Sequence, residues 1–193
     1  IKVNDFILRQ PVLGASVTAR RGRIVAWRAM FAEPDDRPDG VYFGLGATSP
    51  SLEWYFPEGA VGDGLEQVFT LLNPNKREAI VTISLATATQ RVQPPKLVEV
   101  RVPPEAIKTI SLPSALGEQD QDLGNVGTIV ESTNGIGVIA ERTVWYAAGR
   151  TGVESTIGVR EPATEWIVPP AAAISTDDSV AVLNPGNEAA TVS

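Results

Sequence analysis

Apolar and polar residues alternate with a period of two through much of the chain, the pattern of half-buried β-strands. From Lys96 to Val102, Val98, Val100 and Val102 face one way while Glu99 and Arg101 face the other. Val81, Ile83 and Leu85 alternate likewise with Thr82 and Ser84. Between Val138 and Trp145, Val138, Ala140 and Val144 share a face on which Arg142 intrudes. Further strands are predicted at 66–72, 106–112, 126–132 and 152–157. Turn signals separate them at Asn73-Pro74-Asn75, Pro94-Pro95, Pro103-Pro104 and Ala148-Gly149. Asn134-Gly135, set between apolar runs, predicts a hairpin, because both residues tolerate positive φ. Long helices are disfavoured: the longest run without Gly or Pro, 75–92, alternates as a strand does.

The same pattern occurs twice. Glu53-Trp54-Tyr55-Phe56-Pro57-Glu58 matches Glu165-Trp166-Ile167-Val168-Pro169-Pro170 at an offset of 112, with Gly46 and Pro50 matching Gly158 and Pro162. Leu72-Asn73-Pro74 matches Leu183-Asn184-Pro185 at an offset of 111, and Ile24-Val25-Ala26 with Arg28 matches Val138-Ile139-Ala140 with Arg142 at 114. Blocks that recur in the same order with little drift indicate a repeat of about 112 residues. Seven or eight strands per repeat predict an all-β fold of immunoglobulin- or fibronectin-like antiparallel β-sandwiches, with a barrel as the alternative. Residues 46–157 make one complete unit. Residues 1–45 carry the late strands of another and 158–193 its early ones. Apolar faces must be buried, so these two parts are expected to form a second, split unit. It closes either within one chain or between chains, head to tail or by swapping. The chain starts at Ile1 and ends at Thr191-Val192-Ser193, which reads as mid-strand; both features suggest a piece of a longer protein.

Composition narrows the chemistry. The 193 residues carry a net charge of −7, which argues against nucleic acid as a partner. With no His and no Cys, Ser-His and Cys-His nucleophile pairs, disulfides and His- or Cys-held metals are excluded. No apolar stretch is long enough to predict a membrane span. No catalytic, cofactor-binding or metal-binding residue is assigned. Three acidic loops, Asp35-Asp36-Arg37-Pro38-Asp39-Gly40, Asp120-Gln121-Asp122 and Asp177-Asp178, lack the EF-hand spacing and read as solvated turns rather than calcium sites. Arg28 and Arg142 recur at matching positions and suit pairing with a carboxylate better than anion binding. Trp54 and Trp166 are expected in the core, because the second copy replaces Tyr55 and Phe56 with the aliphatics Ile167 and Val168. Tyr55, Tyr42, Tyr146 and Glu58 remain as candidate ligand or partner contacts.

Trp54-Tyr55-Phe56-Pro57-Glu58-Gly59, then Leu72-Asn73-Pro74, then Val98 to Pro104, resembles a family of tandem all-β modules of unassigned function in secreted or cell-envelope proteins of actinobacteria. The second copy departs from it, with Pro170 for Glu58 and Ala171 for Gly59. The resemblance implies an extracellular or envelope location and supplies no catalytic residue. The expected role is a non-enzymatic structural or interaction module with a protein or cell-wall polysaccharide partner. The alternatives are a carbohydrate-binding module using exposed aromatics and, further off, a carboxylate-dependent hydrolase.

Overall fold

The computed structural model describes residues 2–7, 12–32, 39–62, 64–117, 123–147, 151–169 and 179–192. In chain order the strands are β1 (Trp27–Ala32), β2 (Gly40–Leu45), β3 (Glu53–Phe56), β4 (Ala60–Val61), β5 (Leu65–Asn73), β6 (Ala79–Ala86), β7 (Arg91–Val92), β8 (Val100–Val102), β9 (Ala106–Ser111), β10 (Gly124–Asn125), β11 (Gly127–Ser132), β12 (Ile139–Tyr146) and β13 (Gly152–Ile157). One four-residue α-helix, Leu112–Ala115, follows β9. No helix among the described residues is long and apolar enough to cross a membrane.

All strand pairs are antiparallel. A five-stranded sheet runs β3-β11-β6-β7, with β8 also on β6, and a four-stranded sheet runs β13-β12-β5-β9. The alternation read from the sequence explains how they share a core. Trp54 and Phe56 of β3, Val81, Ile83 and Leu85 of β6, and Val130 of β11 meet Phe69 and Leu71 of β5 and Ala140 of β12 in one apolar cluster. The Phe56 and Phe69 rings bridge the sheets edge to face, 5.4 Å apart. Each of the larger fully buried side chains stabilises the fold by about 1.5–3 kcal/mol. The opposite face of β6 is covered too, so Thr82 and Ser84 are buried; Gln93 Nε2 donates to Ser84 Oγ at 3.0 Å.

Two local readings require correction. The strand expected over 96–102 survives only as β8. Pro94 and Pro95 open a 3₁₀ turn at Pro95–Leu97 that buries Leu97, and Glu99 then adopts φ 53°, which breaks the alternation before Val100. Asn134-Gly135 does not close a hairpin: β11 and β12 belong to different sheets. Only Gly135 has positive φ there, whereas the hairpin turn needs it at both positions. Asn134 instead fastens the crossing to β6, donating from Nδ2 to Glu78 O at 2.9 Å and accepting from Ile80 N at 3.1 Å.

Outside this two-sheet body, β1 and β2 form a separate hairpin. Its register copies that of β12 and β13. Trp27 faces Leu45 as Glu141 faces Ile157, Arg28 faces Gly44 as Arg142 faces Thr156, and Ala32 faces Gly40 as Tyr146 faces Gly152. The turn after β5 is copied as well. Asn73 Oδ1 accepts from Asn75 N at 3.0 Å and Nδ2 donates to Arg77 O at 2.8 Å; Asn184 Oδ1 accepts from Gly186 N at 3.0 Å and Nδ2 donates to Glu188 O at 2.6 Å. Among the described residues, 158–169 and 179–192 form no strand, and Val159 makes one bridge, to Tyr55 on the edge of β3. Trp54 is 2% exposed, but Trp166 is 59% exposed, contrary to the expectation that both lie in the core. Trp54 is held between β11 and Val138, whose carbonyl accepts from Trp54 Nε1 at 2.8 Å; among the described residues no strand pairs alongside Trp166.

Candidate functional site

The strongest polar constellation grows from β12. Alternation turns Ala140, Arg142 and Val144 inward and Glu141 and Thr143 outward. Arg142 is therefore only 3% exposed, its guanidinium carbon 5.9 Å over the Phe56 ring. A buried cation must be paired. Arg142 Nη2 lies 3.5 Å from Glu58 Oε2, brought by the chain after β3, and 3.8 Å from Glu154 Oε1 on β13. Its Nε and Nη1, and Oε1 of buried Gln67 on β5, find no hydrogen-bond partner among the described residues. Gly59 makes room for them: a Cβ there would lie 2.9 Å from Gln67 Oε1, 3.3 Å from Arg142 Nη1 and 2.8 Å from Val126 O. Gln67 Nε2 donates to Ala60 O, holding that turn to β5.

On the outer side, Glu141 Oε1 accepts from Arg28 Nη2 at 2.6 Å and from Ser155 Oγ at 2.8 Å, and Ser155 Oγ is 2.9 Å from Thr143 Oγ1. Tyr146 donates to Glu154 Oε2 at 3.3 Å. Between β2 and β13 lies an open groove of about 480 Å³, lined by Tyr42, Phe43, Gly44, Leu45 and residues 154–157. Three of the four residues singled out from sequence thus come together: Tyr42 on the groove wall, with Tyr146 and Glu58 around Arg142 and Glu154. Tyr55 stands apart on the outer face of the five-stranded sheet, donating to Glu53 Oε2 at 2.6 Å. Arg28 and Arg142 both pair with carboxylates, as their sequence context suggested. Glu154, Glu141 and Ser155 carried no sequence signal: strand pairing brings Glu154 to Arg142 on the inner side and Ser155 to Glu141 on the outer side. Gln67 was legible in principle: it shares the inward parity of Phe69 and Leu71.

The acidic loops at 35–38, 120–122 and 177–178 lie outside the described residues. Among the described residues no three acidic side chains are grouped to hold a metal. With Arg142 facing Glu58 and Glu154, and Arg28 facing Glu141, the negative charges match or exceed the positive ones, and the groove suits neutral or cationic groups better than anions.

The environment also changes the tyrosines. Burial first, then the charges of Glu154 and Glu58 and the hydrogen bond to Glu154, push Tyr146 up to about 12. Burial, then the hydrogen bond and charge of Glu53, push Tyr55 up to about 12. Burial, then Glu141, raises Tyr42. These are the chain's 3 tyrosines. Absorbance at 295 nm should therefore show Tyr55 and Tyr146 ionising well above pH 10 in the folded chain, and all three phenols doing so near their ordinary value in denaturant. The raised values make the folded state bind protons more tightly. Their stabilisation is complete below pH 10 and is lost as pH rises toward 12, so the melting temperature should fall across that window. A folded-state titration centred on pH 10 would contradict the arrangement.

Two solved structures similar to the chain share less than 20% identity with it. The crystal structure of Thermotoga maritima 1070 covers 59% of this chain and 97% of its own, at 18% identity and a TM-score of 0.49. The Anabaena sensory rhodopsin transducer covers 50% of this chain and 99% of its own, at 13% identity and a TM-score of 0.40. No curated protein matches. The chain belongs to the family of unknown function DUF5719, which matches it over residues 13–193.

Proposed function

We propose that this chain is a non-enzymatic structural or interaction module of the cell envelope or extracellular space, contacting a protein or a cell-wall polysaccharide. In this reading it is built from immunoglobulin- or fibronectin-like β-sandwich units repeating at about 112 residues. Residues 46–157 form one unit, and 1–45 with 158–193 supply parts of another. The copied hairpin register and the copied Asn73 and Asn184 turns support the repeat.

One observation carries the interaction role. Because Trp27, Ala29 and Phe31 face Leu45, Phe43 and Val41, the hairpin presents one continuous face on which Trp27, Phe31, Val41, Phe43 and Leu45 are all exposed. Contiguous apolar surface of this kind marks contact sites. Its rings are not coplanar: Phe43 is tilted 44° to Trp27 and stands 85° to Phe31. A sugar-stacking platform would present its rings more nearly flat, so a shaped partner surface is the better fit. The carboxylates nearest the groove, Glu58, Glu141 and Glu154, are each engaged by an arginine or a hydroxyl, which supports the non-enzymatic reading.

The test is cosedimentation of the chain with isolated cell-envelope fragments, using Phe31→Asp and Phe43→Asp. Wild type should pellet with the fragments and both variants should stay in the supernatant, with melting temperatures unchanged because neither side chain is buried. Wild type that does not pellet would overturn the proposal. Competition by soluble oligosaccharides released from the same wall would replace it with carbohydrate binding.

A further inference from the structure

We infer that the free edge of β1 is a docking site for residues 179–184 of a second copy of this chain, which add to it as an antiparallel strand. The inference rests on the repeat reading above and fixes the partner and the register.

In the complete unit, the strand corresponding to β1 is β12, and β12 is paired on both sides, with β13 and along its length with β5. Among the described residues β1 pairs with β2 alone. An unpaired strand edge offers a row of backbone donors and acceptors and is a ready template for strand addition. The offsets of 111 and 112 that relate the two Asn-Pro turns identify the counterpart of β5 as the segment ending at Asn184. Its described part, 179–184, forms no strand, and Val180 and Val182 are 69% and 62% exposed. Asn184 nevertheless already makes the side-chain turn that Asn73 makes at the end of β5. A strand edge without its partner and a strand-like segment without its sheet therefore occur in one molecule.

They do not meet within that molecule. Leu72 of β5 and Ile107 of β9 point outward from the four-stranded sheet, and Gly14 lies against both; Glu141, also outward, holds Arg28. The N-terminal part thus lies on the outer face of the four-stranded sheet. In β11, Thr128 and Val130 point inward and Gly127 outward, and it is Gly127 that Leu183 lies against. Arg91 of β7 donates to Pro185 O at 2.7 Å. The C-terminal part thus lies on the outer face of the five-stranded sheet. The whole core separates the two parts, so the segment that meets β1 comes from another chain. The contact joins two different surfaces and is head to tail, closing into a ring or extending as a chain of copies.

The register follows from β12 and β5, where Ile139 faces Leu72, Ala140 faces Leu71 and Arg142 faces Phe69. Carried over by the offsets, Val25 faces Leu183, Ala26 faces Val182 and Arg28 faces Val180. Val180 and Val182 then lie on the side of Arg28, as Phe69 and Leu71 lie on the side of Arg142.

The chain has no cysteine, so single cysteines report one contact. A chain carrying Ala26→Cys and a chain carrying Val182→Cys, each exposed and outside the shared core, are mixed and mildly oxidised. Facing residues of an antiparallel pair lie within disulfide reach. The expected product is a species of two chains on a non-reducing gel, its linked peptides joining 26 to 182, while wild type sediments with a concentration-dependent mass above the 20.5 kDa of one chain. Wild type that sediments as a monomer up to its solubility limit, or a mixture that yields no 26–182 link, overturns the inference. A faster link when Ala181→Cys replaces Val182→Cys overturns the register and the repeat correspondence with it. Envelope binding is read separately on the apolar face of the hairpin, so either reading can fail while the other stands.

Discussion

Trp54→Ala is expected to cost the folded chain about 3–5 kcal/mol, the range for deleting a large aromatic from a close-packed core. Trp54 on β3 is buried beside β11, and Gly158 approaches so closely that a Cβ there would lie 3.1 Å from Trp54 Cβ and 2.8 Å from Phe56 Cζ. That packing leaves little room for collapse around the cavity. The variant also loses the bond from Nε1 to Val138 O, worth about 1 kcal/mol; the cost is limited because that carbonyl keeps Ser51 N at 2.9 Å. The matched substitution Trp166→Ala removes an exposed ring and should stay within about 0.5 kcal/mol in the monomer. Urea midpoints at unchanged slope measure both. Equal losses would mean that Trp166 is buried in the species being denatured, and the contrast between the two tryptophans would collapse.

That contrast shows where sequence reading succeeds. The inward parity of β5, β6 and β12 follows from the alternation of Phe69 and Leu71, of Ile83 and Leu85, and of Ala140 and Val144, because a strand with one covered face has no other solution. The pattern fails where local chemistry outweighs it. At 96–102, Pro94 and Pro95 impose a 3₁₀ turn that alternation does not register. At Asn134-Gly135, the side chain of Asn134 satisfies backbone groups at the start of β6, Glu78 O just before it and Ile80 N within it, so the chain changes sheets instead of folding back. The two-residue strands β4, β7 and β10 are too short to carry any period.

For Trp166 the residue type predicts burial and the exposed ring contradicts it, because burial needs neighbours, and which strands stand beside a residue is a property of pairing rather than of residue type. The polar constellation was half legible for the same reason. Arg142 announced itself as a cation on an apolar face, and a buried cation demands carboxylates. Which carboxylates answer is decided by the rungs that bring Glu154 from β13 and by the turn after β3 that brings Glu58.

The residue whose loss should rival that of Trp54 is polar. Asn73 ends β5 fully buried, and its amide joins three segments. Nδ2 donates to Arg77 O at 2.8 Å, Val102 O at 3.0 Å and Pro103 O at 3.1 Å, while Oδ1 accepts from Asn75 N and Nδ2, each at 3.0 Å. Asn75 Nδ2 reaches on to Gly137 O at 2.8 Å, so the turn after β5, the exit of β8 and the approach to β12 depend on one side chain. Asn73→Ala takes a partner from Val102 O in a buried setting and from half-buried groups at Arg77, Pro103 and Asn75, at about 1–3 kcal/mol per group that water does not compensate; a total of about 3 kcal/mol is expected. Asn73→Asp should be at least as damaging. A carboxylate can still accept from Asn75 but cannot donate to the three carbonyls, whose negative ends would then face its charge. Asn184→Ala breaks the same local turn with no strand exit to join, and should cost under about 1 kcal/mol in the monomer. Urea denaturation at neutral pH ranks the three variants. An Asn73→Asp chain as stable as wild type would show that acceptance from Asn75, not donation to β8, secures this corner of the fold.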